Sequence, residues 1–500
     1  MANLFASWDS IAVSDTSTGI ARWLERGAFL FATLMVLASP HSIAATQIAW
    51  GVGTLLWIAC IFARGIDKRA IRPISVALVA FFAWSVISAL FSYEPATSLD
   101  RLRGVSVFLI FVFVAAVIRN LKALYFLAFA MVISCMVNVV WTPVERAIGR
   151  GVEIYGLRTD GPLSKALLWN GDTLLSANGE KLSSPEDLLK ATESSVVTKV
   201  RFYRPDFEFA VDVKSSDLLP GRTAAERLGF ASWKKSHNWR SRGFYSHYVT
   251  YAEVLMLIGS LTLGLLFASI IYYAGQRKWT IPLLSTAFLG MSFALLLTVT
   301  RASQLALLFS GLAMIVRGGG RKLAIAAVLV AAPVIVGGLI FLQQSRNTGF
   351  FDPNDESTRY RFVMWNDGGR LLAESPRNFI FGVGMDSVQK RWQEWNMYEG
   401  GFLPMGHFHS TPVQIAVERG IPALLIWIAI LAILARSLWR GITNSREFGW
   451  RSFGVALGTF GALIGFFVSG FVHWNLGDQE VAMIFYMLMA FGVRNAELTS

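Results

Sequence analysis

Two histidines separated by one residue stand in Gly406-His407-Phe408-His409-Ser410, where a polar stretch gives way to the apolar helical pattern Thr411–Arg419. An imidazole that is wet on one side and semi-buried on the other can be tuned toward general-base work. The ordinary alternative for a histidine at such a boundary is a structural hydrogen bond. His407 and His409 at i, i+2 could share a metal ion, but no third ligand accompanies them and no HExxH pattern occurs. Arg301 is the second chemical signal. It follows Thr298-Val299-Thr300 and opens an apolar run, where a guanidinium is costly unless it is paired or faces a cavity. Arg359, Arg361 and Arg370 gather in one polar segment. Guanidinium groups beside an apolar surface suit a phosphate; the alternative is snorkelling to lipid headgroups. Nucleotide-handling motifs are absent: there is no GxxxxGK followed by Ser or Thr, no GxGxxG after a strand, and no Asp-x-Asp pair. No GxSxG nucleophile elbow occurs either.

The elements that must position these residues are set by composition. Of 500 residues, 54% are hydrophobic and 16% are charged, against about 25% charged in a typical soluble chain. So few charges cannot cover the surface of a soluble protein of this length, and the chain reads as a polytopic membrane protein. A span needs about 20 mostly apolar residues. About twelve stretches qualify: 27–44, 46–63, 74–93, 105–118, 122–141, 248–273, 281–299, 303–316, 323–342, 421–437, 452–473 and 479–493. Lys and Arg collect in alternate connections, such as Arg64 to Arg72, Arg317 to Lys322 and Arg436 to Arg451. By the positive-inside rule those loops are cytoplasmic, as are both termini. That assignment absorbs most of the net charge of +12 without a nucleic-acid partner. The two cysteines, Cys60 and Cys135, lie in apolar runs and form no disulfide framework. Two long segments, about 142–247 and 343–420, then face outward, and the chemistry belongs there or at the span ends beside them.

The first of these is read as a small soluble domain. Val152–Leu157, Val196–Tyr203 and Phe207–Val213 read as strands, and Asn178-Gly179 as a turn. Ser184-Pro185-Glu186-Asp187 starts a helix, with proline in the first turn and acidic residues at the positive end. With Gly151-Val152, Gly161-Pro162-Leu163-Ser164-Lys165-Ala166-Leu167 and Gly171-Asp172-Thr173-Leu174-Leu175, this order resembles a PDZ domain of the bacterial type over about 145–215. Such domains bind peptide ends by adding a strand to a sheet edge; a spacer or docking surface is the alternative.

Four stretches between about 240 and 430 resemble the O-antigen ligase and polymerase superfamily of bacterial cell-surface glycosyltransferases. They are Gly243-Phe244-Tyr245-Ser246-His247-Tyr248-Val249-Thr250-Tyr251-Ala252; Leu297-Thr298-Val299-Thr300-Arg301-Ala302-Ser303; Arg361-x-x-x-Trp365 followed by Pro376 and Gly382-Val383-Gly384; and His409-Ser410-Thr411-Pro412-Val413-Gln414 followed by Glu418-Arg419-Gly420. Ser410 stands where Asn often follows the histidine in that family.

The apolar runs and the two resemblances together lead us to expect an all-α polytopic membrane protein, GT-C-like, of about 12 transmembrane helices with an inserted small α+β PDZ-like extracytoplasmic domain, an insert unusual for the family. Its organisation would be N-terminal helices at 1–141, the insert at 142–247, helices at 248–342, a periplasmic catalytic loop at 343–420 and C-terminal helices at 421–500. The implied location is the bacterial inner membrane, with the site on the periplasmic side. The implied donor is a glycan on undecaprenyl diphosphate, and the acceptor a hydroxyl on lipid A–core, a growing glycan or a protein. His409 would be the general base. Arg301 and Arg361, with Arg359, would bind the pyrophosphate, and His407, His247, Tyr251 and Glu418 would support them. No cofactor and no metal are implied. The ligase type is the first expectation; polymerisation or protein O-glycosylation uses the same donor chemistry. A transporter of lipid-linked sugar is a more distant alternative, which would call for interrupted paired spans and midplane charges.

Overall fold

The computed structural model describes residues 8–14, 17–64, 72–204, 207–274, 276, 278–323, 325, 329, 356–401 and 406–500. Two compact units emerge: Met1–Asn138 with Phe244–Leu296 and Thr300–Ser500, and Val139–Gly243 with Leu297–Val299.

The larger unit is helical. Among the described residues eight helices are long and apolar enough to cross a membrane: Ile43–Ala63, Pro73–Leu90, Leu121–Ile148, Tyr248–Tyr272, Thr280–Leu297, Thr411–Phe448, Trp450–Gly470 and Gln479–Leu498. Among the described residues the count of twelve is not reached, and three of the expected stretches fall short for local reasons. The stretch expected at 27–44 falls in a helix, Gly19–Ala38, whose first two turns carry Arg22, Glu25 and Arg26. The stretch at 105–118 is broken by a 3-10 turn, Ser106–Phe108, leaving Leu109–Val117; nine residues rise only about 14 Å. The stretch at 303–316 lies in Arg301–Gly318, where Arg301, Gln304 and Arg317 lower the apolar average. The expected span 323–342 lies outside the described residues, apart from Leu323, Ile325 and Leu329.

The 248–272 helix is buried along nearly its whole length and packs against the 450–470 and 301–318 helices. Its sequence permits this because the facing surfaces are built from small residues, which let helix backbones approach where lipid and side chain are equally apolar. A Cβ on Gly264 would lie 2.3 Å from the Gly458 nitrogen, and one on Gly458 would lie 2.7 Å from the Leu261 Cα. Gly461 leaves room for Met314 in the same way, and the Ser310 hydroxyl donates to the Gly461 carbonyl at 2.7 Å.

The second unit holds a six-stranded antiparallel sheet in the order β5-β4-β2-β1-β6, with β3 paired to β2. The strands are β1 Arg150–Tyr155, β2 Thr173–Ala177, β3 Glu180–Lys181, β4 Val197–Arg204, β5 Phe207–Lys214 and β6 Ser232–Ser236. Alternation drives β4: Thr198, Val200 and Phe202 are buried while Val197, Lys199 and Arg201 are exposed, the period of a sheet covered on one face. Leu188, from the helix Pro185–Glu193, joins Val152, Ile154, Leu174 and Leu228 in the core. That helix starts with a capping box between Ser184 and Asp187, which satisfies two orphan backbone donors. Its position and proline match the reading of Ser184-Pro185-Glu186-Asp187.

Replacing Gly458 by Leu should lower the stability of the helical unit by about 1–3 kcal/mol, the cost of overpacking. Thermal unfolding in detergent measures this. An unchanged midpoint would show that the close approach to Leu261 does not hold the helices together.

Candidate functional site

The site is built around a broken helix. The run Thr411–Ser445 is interrupted at Gly420, whose φ of 79° and ψ of 171° are open essentially to glycine alone. A Cβ there would lie 1.9 Å from the Ile380 carbonyl oxygen. The break leaves the last carbonyls of the 411–419 segment without helical partners, and such groups must be satisfied elsewhere. The Val417 oxygen accepts from the Val383 N–H at 2.9 Å, and the Glu418 oxygen from the Gly384 N–H at 2.9 Å and the Ser88 hydroxyl at 3.2 Å. The Arg419 oxygen accepts from the Trp84 indole at 2.9 Å. This pairing explains Gly382-Val383-Gly384. A Cβ at position 382 would fall 2.3 Å from the Glu418 carbonyl carbon, and one at 384 would collide with the Ser92 hydroxyl.

The histidines precede the same half-helix. Phe408 between them is fully buried and clamped twice. The Trp365 indole donates to its carbonyl at 2.8 Å, and its N–H donates to the Gln414 amide oxygen at 2.8 Å. The Gln414 amide nitrogen donates to Glu418 at 2.9 Å. Trp365 lies one helical turn beyond Arg361 on the helix Glu356–Ala373, so both project from one face, and the contact with Phe408 turns that face toward the histidines. The Arg-x-x-x-Trp spacing is thereby explained. His409 has a φ of 49°, an uncommon backbone for a residue with a Cβ. Its N–H donates to His407 Nδ1 at 3.1 Å, and the two rings lie 4.1 Å apart.

This crowding sets the charge state. Burial, then the neighbouring His407, Arg361, His473 and His247, push the His409 pKa down to about 3. Burial, His473 and His247 push His407 down to about 4. Both rings are neutral at pH 7. An unfolded histidine titrates near 6.5, so the unfolded chain binds protons that these folded rings refuse. The native state therefore loses stability as pH falls from about 6.5 toward 4 and 3.

His473, which lies beside them electrostatically, is buried. Its Nδ1 sits 2.7 Å from Glu253 Oε1. Glu253, buried in the 248–272 helix, also accepts from the Ser469 hydroxyl at 2.7 Å and the Ser303 hydroxyl at 2.9 Å. Ser303 is in the first turn of the helix that Arg301 opens. One carboxylate thus connects the Arg301 helix to His473, and His473 acts on His407 and His409. Thr411 closes the circuit, donating to the His473 carbonyl at 3.0 Å.

The expected residues are therefore distributed unevenly. His409, His407 and Arg361 gather directly. Arg301, half-buried, joins through Ser303 and Glu253. Arg359 is exposed and ion-paired to Glu399 at 2.6 Å. His247 is exposed at the start of the 248–272 helix, with Nδ1 accepting from the Val249 N–H at 3.2 Å. Tyr251 is buried, its hydroxyl donating to the Asn138 carbonyl at 3.3 Å. Glu418 is buried as a brace that accepts from Gln414 and from the Asp386 N–H at 3.0 Å. Sequence reasoning missed Glu253; its signal was a lone carboxylate inside an apolar run. Among the described residues no three His, Cys, Asp or Glu side chains group as metal ligands.

Residues 286–428 match the family model described as O-antigen ligase. The match takes in Arg301, Arg361, His407, His409 and the break at Gly420; Glu253 and His473 lie outside it. No curated protein matches the chain significantly.

Gly420→Ala should cost at least about 1–3 kcal/mol, since alanine must adopt a backbone reserved for glycine against the Ile380 carbonyl. Thermal unfolding in detergent reads the loss. A variant as stable as the parent would mean that the break is not held by the contacts named above.

Proposed function

We propose, from a match that supports membership of the O-antigen ligase superfamily and glycan transfer of the ligase or polymerase type, that this protein moves a glycan from undecaprenyl diphosphate to an acceptor hydroxyl. The acceptor is lipid A–core, and the reaction runs at the periplasmic face of the inner membrane. The observation that carries the reading is the gathering of neutral histidine and arginine at the start of a broken helix: Arg361 acts on His409, and Trp365 ties its helix to the histidine segment.

In this reading His409 takes the proton of the acceptor hydroxyl as its oxygen bonds to the anomeric carbon. The bond from that carbon to the diphosphate breaks, and undecaprenyl diphosphate leaves with the electron pair. A diphosphate needs positive charge rather than a proton to depart, and Arg301 and Arg361 supply it. Arg359, held by Glu399, is left outside that role. The incoming diphosphate also raises the basicity of His409, because an anion beside an imidazole favours its protonated form. His473, held by Glu253, is tied to the histidine segment through its carbonyl, which accepts from Thr411. The 139–243 unit, if PDZ-like, would receive a protein partner; a polymerase or protein-directed transferase would use the same donor residues.

His409→Ala should lower transfer by about 10²–10⁴-fold, the usual worth of a general base, while abundance and unfolding midpoint stay unchanged; retained turnover would remove it from that role. Arg301→Lys should lower turnover at least about tenfold, because a point charge does not replace a bidentate fork. In the free enzyme kcat/KM should stay flat between about pH 5 and 8, since His409 is already neutral there. An acid limb near 6.5 would instead mark an ordinary solvated histidine.

A further inference from the structure

A cleft of about 210 Å³ lies in the helical unit, and none of the histidines lines it. Its walls include Arg101, Arg103, Gln389, Arg419 and Trp474. The charged residues lining it are three arginines and two carboxylates, Asp386 and Glu418, so it carries a net positive charge. Arg101 pairs with Asp386. Arg103 is exposed and only loosely paired to Asp100, at 3.3 Å.

Arg419 is the unusual member. It is 5% exposed, yet its partners are poor. One terminal nitrogen lies 3.2 Å from the Met385 sulfur, a weak acceptor, and 3.8 Å from Glu418. Its Nε is buried with no hydrogen-bond partner. Glu418 serves Gln414 and the Asp386 N–H through Oε1, and its Oε2, at 3.8 Å, lies beyond hydrogen-bond reach of Arg419. A buried guanidinium is costly when its donors lack hydrogen-bond partners, and here Nε has none. An anion entering the cleft would satisfy it bidentately. Trp474 adds an aromatic face, with Arg419 5.8 Å from its ring centroid. The cleft falls below the roughly 300–1,000 Å³ of sites for drug-sized ligands, so it takes one ring or one head group.

We propose that this cleft is a second anion site, separate from the arginines assigned to the diphosphate, which takes a phosphate or carboxylate borne by a sugar of the acceptor glycan. The acceptor assignment rests on the proposed transferase reading; the anion site itself does not. Gln389 links the two regions, donating to the Gly406 carbonyl at 3.0 Å just ahead of His407.

The test uses the full chain in phosphatidylcholine nanodiscs, titrated calorimetrically with glucose 6-phosphate and, for comparison, glucose. Saturable binding of the phosphorylated sugar alone is expected, weakened at least about tenfold by Arg419→Gln and retained in Arg361→Gln. Should Arg419→Gln fail to fold, the exposed Arg103→Gln should still weaken binding severalfold. Equal binding of glucose, or indifference to both Arg419→Gln and Arg103→Gln, would overturn the site. Loss of binding in Arg361→Gln would place the probe at the diphosphate arginines and overturn it as well. Competition by phosphatidylglycerol nanodiscs would make a lipid headgroup the occupant and overturn the acceptor assignment. If the probe binds as expected but the chain transfers no glycan, the transferase reading fails while the anion site stands.

Discussion

A helix interrupted in apolar surroundings must find partners for every backbone group the interruption frees. At Gly420 that requirement organises much of the helical unit. The carbonyls of Val417, Glu418 and Arg419 draw in the 383–384 backbone, Ser88 and Trp84. Because Gly384 carries no side chain, Ser92 approaches it and shares hydrogen bonds with Ser98 and Ser387. Ser98 lies on the short helix Pro95–Val105, which is thereby fixed as well. The half-helix 411–419 is then held at both ends: its C-terminal carbonyls by these contacts, its N-terminal side by Thr411, Gln414 and the buried Phe408. The histidines gain a fixed position without lying inside a regular element, and the uncommon backbone of His409 is tolerated because the residues on either side of it are pinned.

The second organising group is Glu253. A buried carboxylate is tolerable only when hydrogen bonds replace its lost water. Here those bonds come from the 301–318 helix, the 450–470 helix and the turn that carries His473. Ser303 and His473 share Oε1 while Ser469 bonds Oε2, so displacing any one of these removes a bond from a buried carboxylate, which thereby favours their mutual placement. The Arg301 turn and His473 are registered by one residue that contacts neither substrate nor solvent in the proposed reading. Glu253 thus belongs with the broken helix as a positioning device.

Much of this was legible in sequence where the signal is local. The apolar runs at 248–273, 281–299 and 479–493, the cap at Ser184 and the alternation of β4 each depend on near neighbours. What escaped depends on contacts between distant positions. His473 meets Glu253 across 220 residues, and neither shows a motif. Arg359 and Arg361 looked equivalent in sequence, and the ion pair of Arg359 with Glu399, forty positions away, could not be read there. The stretch 105–118 is apolar enough for a span, yet the polar helix before it and a 3-10 turn cut it short. The match to Gly382-Val383-Gly384 could be seen, whereas its reason could not: those glycines answer to backbone at 418 and to Ser92.

The net charge of +12 divides into cations of different standing. Arg26 with Asp9, Arg72 with Glu497, Arg119 with Glu25 and Arg391 with Glu94 each have a carboxylate within 2.8 Å. Such cations are neutralised inside the fold and have little left for a ligand. Arg361 and Arg419 are distinguished by what lies beside them. Burial and His407 hold the His409 pKa down, and Arg361 adds to them, an arrangement repulsive to a protonated imidazole. Arg419 is buried against a sulfur at 3.2 Å and a carboxylate oxygen 3.8 Å away. If His409 is the base of the proposed reaction, a cation against it disfavours its protonated form, and the same placement becomes favourable once an anion lies between them. In the proposed reaction a diphosphate beside His409 would relieve that repulsion and raise the basicity of the histidine, coupling the base to the arrival of the leaving group.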